Sequence, residues 1–392
     1  MIAITASSCT GKNQKPAWVE NALSTASCQL EQSAIKYEAI DSMPRTFTAG
    51  RVVLVDKQDW TSGFFPGSLW QMYRLTGKEI FKAEAGKYTS KLYDIQYYKG
   101  NHDVGFMMFC SYGNQYLITH DSLSPRVLIQ TAQSLLSRYN EKVGLIRSWD
   151  FGKWNYPVII DNMMNLELLF WASKYTGDPQ YENVAINHAD NTIKNHFRPD
   201  YSSYHVVSYN DDGSVESKGT FQGCSDTSAW ARGQAWGLYG YTVCFRETKL
   251  ERYLEQAEHI AGFIMNNPVI AEDRIPYWDY NAPGIPDAPR DASAAAITAS
   301  ALIELSTLVK DVKLAKEYLT YAETILKNLA GNRYLAKRGE NGGFVLMHST
   351  GHKPENREVD VPLNYADYYF LEALNRYLAL NLKTLNKPKT YS

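Results

Sequence analysis

"LLFWASKYTGDPQYENVAINHADNTI", residues 168–193, decides the fold. A helix ends here in aromatic residues, Thr176-Gly177 turns the chain, and a second amphipathic helix starts at once. The same unit recurs as "LWQMYRLTGKEIFKAEAGKYTSKL" (69–92), "YTVCFRETKLERYLEQAEHIAGFI" (241–264) and "LIELSTLVKDVKLAKEYLTYAETIL" (302–326). Each reads as a helical hairpin with a TG, TK or VKD corner. A hairpin that cannot bury its apolar face alone stacks on its neighbours. The 3.6-residue periodicity predicts about twelve helices, near 16–37, 64–76, 78–98, 102–112, 124–139, 158–176, 179–195, 226–247, 249–267, 291–308, 311–330 and 362–381. Six hairpins without a polar capping repeat predict an all-α (α/α)6 double toroid, with an open solenoid as the alternative.

The chain has 392 residues, 44% of them hydrophobic, enough for a substantial core. A formal net charge of −2 without a basic block gives no footprint for nucleic acid, and no apolar run is long enough to span a membrane. Five scattered cysteines lack zinc or disulfide spacing, so no metal is expected. The opening "MIAITASSCTGKNQKP" places small residues before Cys9 and a polar tether after it, like the end of a bacterial lipoprotein signal without its basic start. Residues 1–15 are therefore expected to be a tail or signal remnant, with a possible lipid anchor at Cys9 and a periplasmic or secreted location, a cytoplasmic one being the alternative. A plain tail is the alternative, and residues 16–392 are expected to form one catalytic domain.

Aromatic residues are abundant, with 28 Tyr and 9 Trp, and they concentrate in long loops between the hairpins. Long polar-aromatic loops on a helical scaffold are where function usually sits. One of them, 205–217, is predicted to hold a β-hairpin turning at Asp212-Gly213. Gathered over one end of the barrel, the loops would wall a cleft with Trp60, Trp149, Trp154, Trp230, Trp236 and Trp278. In "SDTSAWARGQAW" (225–236), Ser225 and Asp226 are expected to cap a helix on which Arg232 and Trp236 share a face. Aromatic faces beside carboxylates, Arg, His and Gln suit carbohydrate.

Asp161 in "PVIIDNMMN" and Asp103 in "NHDVGFMMF" are acids in apolar settings, where burial raises a carboxyl pKa and suits it to general acid work. The competing reading makes both helix N-caps. His205 and Arg232 have structural readings too, and Gln222 alone says nothing. GxSxG, P-loop, GxGxxG and HExxH patterns are all missing, so serine nucleophiles, nucleotide cofactors and zinc hydrolysis lack support.

"NHDVGFM", "SWDFGKWNYPVIIDNMMN", "SDTSAWARGQAWGLYGY", "PRDASAAAITASALIEL" and "VDVPLNYADYYFLEAL", in this order, resemble the unsaturated glucuronyl hydrolases of glycoside hydrolase family 88 over residues 50–380. Family 105, the unsaturated rhamnogalacturonyl hydrolases of pectin fragments, shares the fold and the WARGQ-type motif and is the nearest competitor. The resemblance implies removal of a 4,5-unsaturated uronic acid from lyase-cut oligosaccharides of the chondroitin, hyaluronan or heparin type, without metal or cofactor. It implies Asp161 as the acid and base, Asp103 as its partner, and His205, Gln222, Arg232 and Trp236 as substrate-site residues. Trp60 or Phe65 would form the opposite wall. In "HSTGHKP" (348–354), Ser349, Thr350, His352 and Lys353 stand where relatives bind sulfate, although the match is incomplete and a polar lid is the alternative. A rival of another class is a sugar-binding (α/α)6 protein with no catalysis.

Overall fold

The computed structural model describes residues 15–385; Cys9 and its surroundings lie outside the described residues. Two kinds of helix alternate along the chain. The first kind is buried on nearly every side: every residue from Ala231 to Phe245 of α9 (Ala231–Thr248), and all but Glu304 in α11 (Ala292–Leu305). The second kind carries one apolar stripe. In α12 (Val312–Leu329) it is Tyr318, Tyr321, Ala322, Ile325, Leu326 and Leu329, with lysines and glutamates outside. A helix apolar all round must be enclosed by others, and one with a single stripe must form the outside layer.

The inner layer comprises α2 (Phe64–Thr76), a run made of α4 (Val104–Met108), a π-helical turn (Phe109–Gly113) and α5 (Asn114–Thr119), then α7 (Leu166–Thr176), α9, α11 and α13 (Asn364–Leu385). Each packs on the next, and α13 packs on α2, so the ring closes. This is the (α/α)6 toroid, and the solenoid alternative falls. Outside lie α1 (Ala17–Tyr37), α3 (Glu79–Ser90), α6 (Ser124–Leu136), α8 (Pro179–His196), α10 (Glu251–Asn266) and α12.

Three corners share one device. Thr76, Thr176 and Thr248 each donate a hydroxyl to the carbonyl four residues back and accept the backbone N–H two residues on. Gly77, Gly177 and Lys249 then take the left-handed conformation and return an N–H to Tyr73, Ser173 and Phe245. The hairpin stops where its sequence says it stops.

Farther along the inner helices, charges link four of them. Arg246 of α9 pairs with Glu167 of α7 and Glu304 of α11, at 2.5 and 2.8 Å, while Arg376 of α13 pairs with Glu304 at 2.9 Å. A cavity of about 700 Å3 surrounds them.

Several expected boundaries move. Val158, Ile159 and Ile160 were expected to open a helix, but the β-branched run starts as strand β5 (Pro157–Ile159), recruited by the expected hairpin β6 (Val206–Tyr209) and β7 (Val215–Gly219) in the order β5-β6-β7. A 3-10 turn, Ile160–Asn165, then leads into α7. The helix expected from 226 begins at Ala231, because Asp279 accepts Cys224 N–H and the Ser228 hydroxyl and holds that loop open. Ser225 and Asp226 therefore cap nothing; Asp226 accepts Thr220 N–H. Three further hairpins were not foreseen: β1 (Met43–Thr48) with β2 (Arg51–Val55), β3 (Tyr139–Asn140) with β4 (Leu145–Ile146), and β8 (Ser349–His352) with β9 (Arg357–Val361). No described helix is long and apolar enough to cross a membrane.

The two layers set different tolerances. A methyl group at Gly240 of α9 would stand 2.4 Å from Met163 Cβ and 3.1 Å from its backbone, while one at Gly262 of α10 meets open space. Gly240→Ala is expected to cost about 1–3 kcal/mol in urea unfolding. Gly262→Ala is expected to be neutral or to stabilise by up to about 1 kcal/mol. Equal midpoints for the two variants would contradict the layer assignment.

Candidate active site

The inner helices present their N-terminal ends to one side. Trp60 precedes α2, Asp103 sits immediately before α4, Asp161 lies in the turn before α7, Arg232 is the second residue of α9, and Tyr365 the second of α13. Together with loop residues they line a cleft of about 530 Å3.

Neither aspartate is a cap: Asp103 makes no side-chain capping bond to α4, and the turn that holds Asp161 is not side-chain capped either. Asp161 is 7% exposed, and its Oδ2 has no hydrogen-bond partner. Burial pushes its pKa up to about 7, against the opposing pull of the Arg232 guanidinium and the Trp236 indole N–H. A carboxyl poised there can give a proton and take one back at neutral pH. Burial, and then the charges of Asp161 and Asp59, raise Asp103 well above the ordinary carboxylate range.

His205 is buried behind Asp161. Its Nδ1 accepts the backbone N–H groups of Phe221 and Gln222, both at 3.1 Å. Burial holds the ring neutral, so the proton must sit on Nε2, which points at Asp161 Oδ2 from 3.6 Å. Two backbone N–H groups thus fix the tautomer that faces the acid. Gln222, on the same loop, donates its side-chain amide to Gly351 O and ties that loop to β8.

Arg232 is fully buried. Its Nη1 donates to Asp291 Oδ2 at 2.7 Å and Thr350 O at 2.6 Å, and its Nη2 to Gly351 O at 2.6 Å. Trp230 lies 4.4 Å below the guanidinium. Asp291 also accepts Ser293 N–H as the cap of α11, so one carboxylate joins α9 and α11 and, through Arg232, β8. At the mouth, Arg45 of β1 bridges Asp59 and Glu358, at 2.7 and 2.6 Å.

Of the residues singled out from the sequence, the cleft brings together Asp103, Asp161, Gln222, Arg232, Trp60 and Trp149, with His205 close behind. Others stand elsewhere. Phe65 packs into the core against Tyr88 at 4.8 Å, because its turn of α2 faces α3. Trp236, expected as a stacking surface, is 0% exposed; it packs under the cleft between Phe106 and Tyr369 and offers Asp161 its N–H edge. Ser349 is buried within β8, and Lys353 lies on the hairpin turn away from the lining, which His352 reaches instead. Trp230 and Trp278 are buried, and Trp154 packs against Trp149 and Phe221 outside the lining. The sequence did not point to Arg45, Asp59, Glu358 or Phe221; Arg45 and Glu358 are 313 residues apart, a pairing no local pattern announces. Tyr365 lay in a quoted motif without being singled out. No group of His, Cys, Asp and Glu among the described residues could hold a metal ion.

A helical ring that gathers two raised carboxyls, a neutral imidazole and aromatic walls at one mouth defines a carbohydrate-cleaving enzyme. Residues 37–377 match the model of Glycosyl Hydrolase Family 88. The unsaturated glucuronyl hydrolase of Formosa agariphila is 48% identical over 88% of this chain and 86% of its own length. The unsaturated chondroitin disaccharide hydrolase of Streptococcus pneumoniae is 32% identical over 83% of each. The crystal structure of an unsaturated glucuronyl hydrolase specific for heparin superposes with a TM-score of 0.91 at 51% identity, covering 93% of this chain and 98% of that one. The chain belongs to glycosyl hydrolase family 88, and it is a glycosidase of the unsaturated glucuronyl hydrolase type.

Removing the countercharge of Arg232 tests its setting. Asp291→Asn leaves a buried cation unpaired, and unfolding free energy is expected to fall by about 3 kcal/mol. The freed positive field acts more strongly on Asp161, so its apparent pKa in the pH–rate profile is expected to drop. An unmoved profile together with unchanged stability would remove Arg232–Asp291 from the electrostatics of the site.

Proposed function

We propose that this chain removes the 4,5-unsaturated uronic acid from the non-reducing end of lyase-cut glycosaminoglycan fragments, with Asp161 as both acid and base. The observation that carries the reading is Asp161 itself, buried in the cleft with a pKa near 7 and an unpartnered oxygen. As a carboxylic acid it protonates C4 of the vinyl ether, and positive charge grows over C5 and the ring oxygen. As the carboxylate it then takes a proton from the water that adds at C5. The resulting hemiketal opens to a ketone, its ring oxygen becoming the hydroxyl on C1. C1 is now a hemiacetal that expels the remaining sugar as an alcohol. Bond cleavage follows hydration, so the carboxylate-separation rule for displacement at C1 has no bearing.

Asp103 lies beside the developing charge, and His205 Nε2–H supports the carboxylate state of Asp161. Arg232, fixed by three hydrogen bonds, acts through its field and holds Asp161 near neutrality. Trp60, half-buried in the lining, and the exposed Phe151, stacked on Trp149, offer aromatic surface for sugar faces. Among glycosaminoglycan uronides we place heparin-type disaccharides first, on the likeness to the heparin-specific relative. His352, its Nδ1 accepting Glu355 N–H and its Nε2 without a hydrogen bond, 3.9 Å from Glu355 Oε1, supplies a donor for an anionic substituent on the leaving sugar. The stretch ending at Cys9 favours an exported, lipid-anchored enzyme. A Cys9→Ser chain that still fractionates with membranes would count against the anchor.

Loss of ultraviolet absorbance of the double bond is the direct assay. The parent is expected to bleach unsaturated heparin and chondroitin disaccharides, and Asp161→Asn to lose about 10² or more in kcat. Since the acid form starts the reaction, kcat/KM is expected to fall about tenfold per pH unit above about 7. Bleaching that persists in Asp161→Asn, or that occurs with rhamnogalacturonan fragments alone, would overturn this assignment.

A further inference from the structure

His102 stands next to Asp103 and has no part in the chemistry so far. It is 1% exposed, and its backbone N–H is fixed on Ser148 O. Its Nε2 lies 3.3 Å from Asp103 Oδ1. Asn162, the residue after Asp161, flanks the same ring and supports a protonated ring nitrogen. The Asn162 Nδ2 donates to Ile146 O at 2.7 Å, which leaves Oδ1 as the amide's unpartnered end. The opposite amide orientation would press two acceptors together at Ile146 and is excluded.

Donor and acceptor counts then favour one arrangement. The open Asn162 oxygen lies beside the ring, and the His102 nitrogen that does not face Asp103, Nδ1, is the one left to carry a proton towards it, although the two atoms stop short of a hydrogen bond. Burial and the neighbouring Arg138 keep the ring neutral, so one proton is all it has. Nε2 is left with a lone pair facing a carboxyl oxygen. Two lone pairs at that separation on the wall of the cleft repel unless a proton lies between them.

We infer that His102, oriented by Asn162, is a positioning residue that accepts a hydrogen bond from Asp103 and so keeps Asp103 as the neutral carboxylic acid in the resting enzyme. The surroundings act in the same sense. Asp161 and Asp59 face Asp103 and oppose a third negative charge; only Arg138 favours it. The buried imidazoles of His188 and His205 lie near His102 and are themselves neutral; burial and the Arg138 cation oppose its protonation. The resting site thus stores one proton on Asp103 while Asp161 titrates.

The inference rests on the reading of Asp103 and Asp161 as the working pair, but its test needs no turnover. In Asp161→Asn protein at neutral pH, the infrared carboxylic-acid C=O stretch is recorded against the Asp161→Asn/Asp103→Asn double variant. A band lost with Asp103 is expected. Adding His102→Leu should weaken it or make it titrate about one pH unit lower. If His102→Leu does not fold, Asn162→Leu serves, since it frees the ring to turn its N–H towards Asp103 and should act in the same direction. In the enzyme with Asp161 intact, either change should move the basic limb of kcat/KM upward, because an ionised Asp103 holds the Asp161 proton more tightly. No Asp103 band, or a band and a limb that ignore both variants, would overturn the inference. Failure of the bleaching assay with the band present would instead strike the proposed reaction.

Discussion

Arg232 is the constraint on which the rest of the site depends. A guanidinium removed from water is tolerable only if each strong donor meets an acceptor and its charge meets a counter-ion. Asp291 and the carbonyls of Thr350 and Gly351 meet those demands at Nη1 and Nη2, leaving Nε without a partner, and in doing so they fix the spacing of α9, α11 and β8. The same buried charge limits how far burial can raise Asp161. Structure and reactivity are set by one side chain, and the ring of helices holds that side chain out of solvent.

The toroid was legible because its signals are local. Apolar spacing, threonine-glycine corners and the short step between paired helices lie within windows of about twenty-five residues. The acids were legible as acids in apolar runs. What they faced was not. The β-branched run before Asp161 looks the same whether it opens a helix or pairs with a distant strand, and β6 decides the matter from about fifty residues away. Trp236 and Arg232 do rise from one face of α9, as their spacing implies. That face is covered by α13 and the β8–β9 hairpin, so the indole offers an edge rather than a plane. Phe65 and Trp60 are five residues apart and end on opposite sides of the packing, one in the core and one in the cleft.

Two carboxyls in one pocket usually raise the question of which is the acid. Here their neighbours differ in kind. Asp161 is flanked by a cation and an imidazole N–H, both of which favour its ionised form, while Asp103 looks onto other acids and a ring nitrogen with a lone pair to fill. On the proposed reading, environment assigns the labour, with Asp161 free to exchange its proton and Asp103 holding one back.

The closing contacts of the ring join the earliest and latest described parts of the chain. Arg45 reaches Glu358, Asn364 donates to Pro44 and Thr61 carbonyls, and α13 packs on α2. During synthesis on the ribosome, the first four hairpins can therefore emerge and pair while the cleft still lacks a wall. Until β8, β9 and α13 emerge, Arg232 has no backbone acceptors and the opening of the ring stays unsealed. Catalytic competence arrives with the last tenth of the described chain, which leaves a long interval in which a nascent ring must be kept from partners of its own kind.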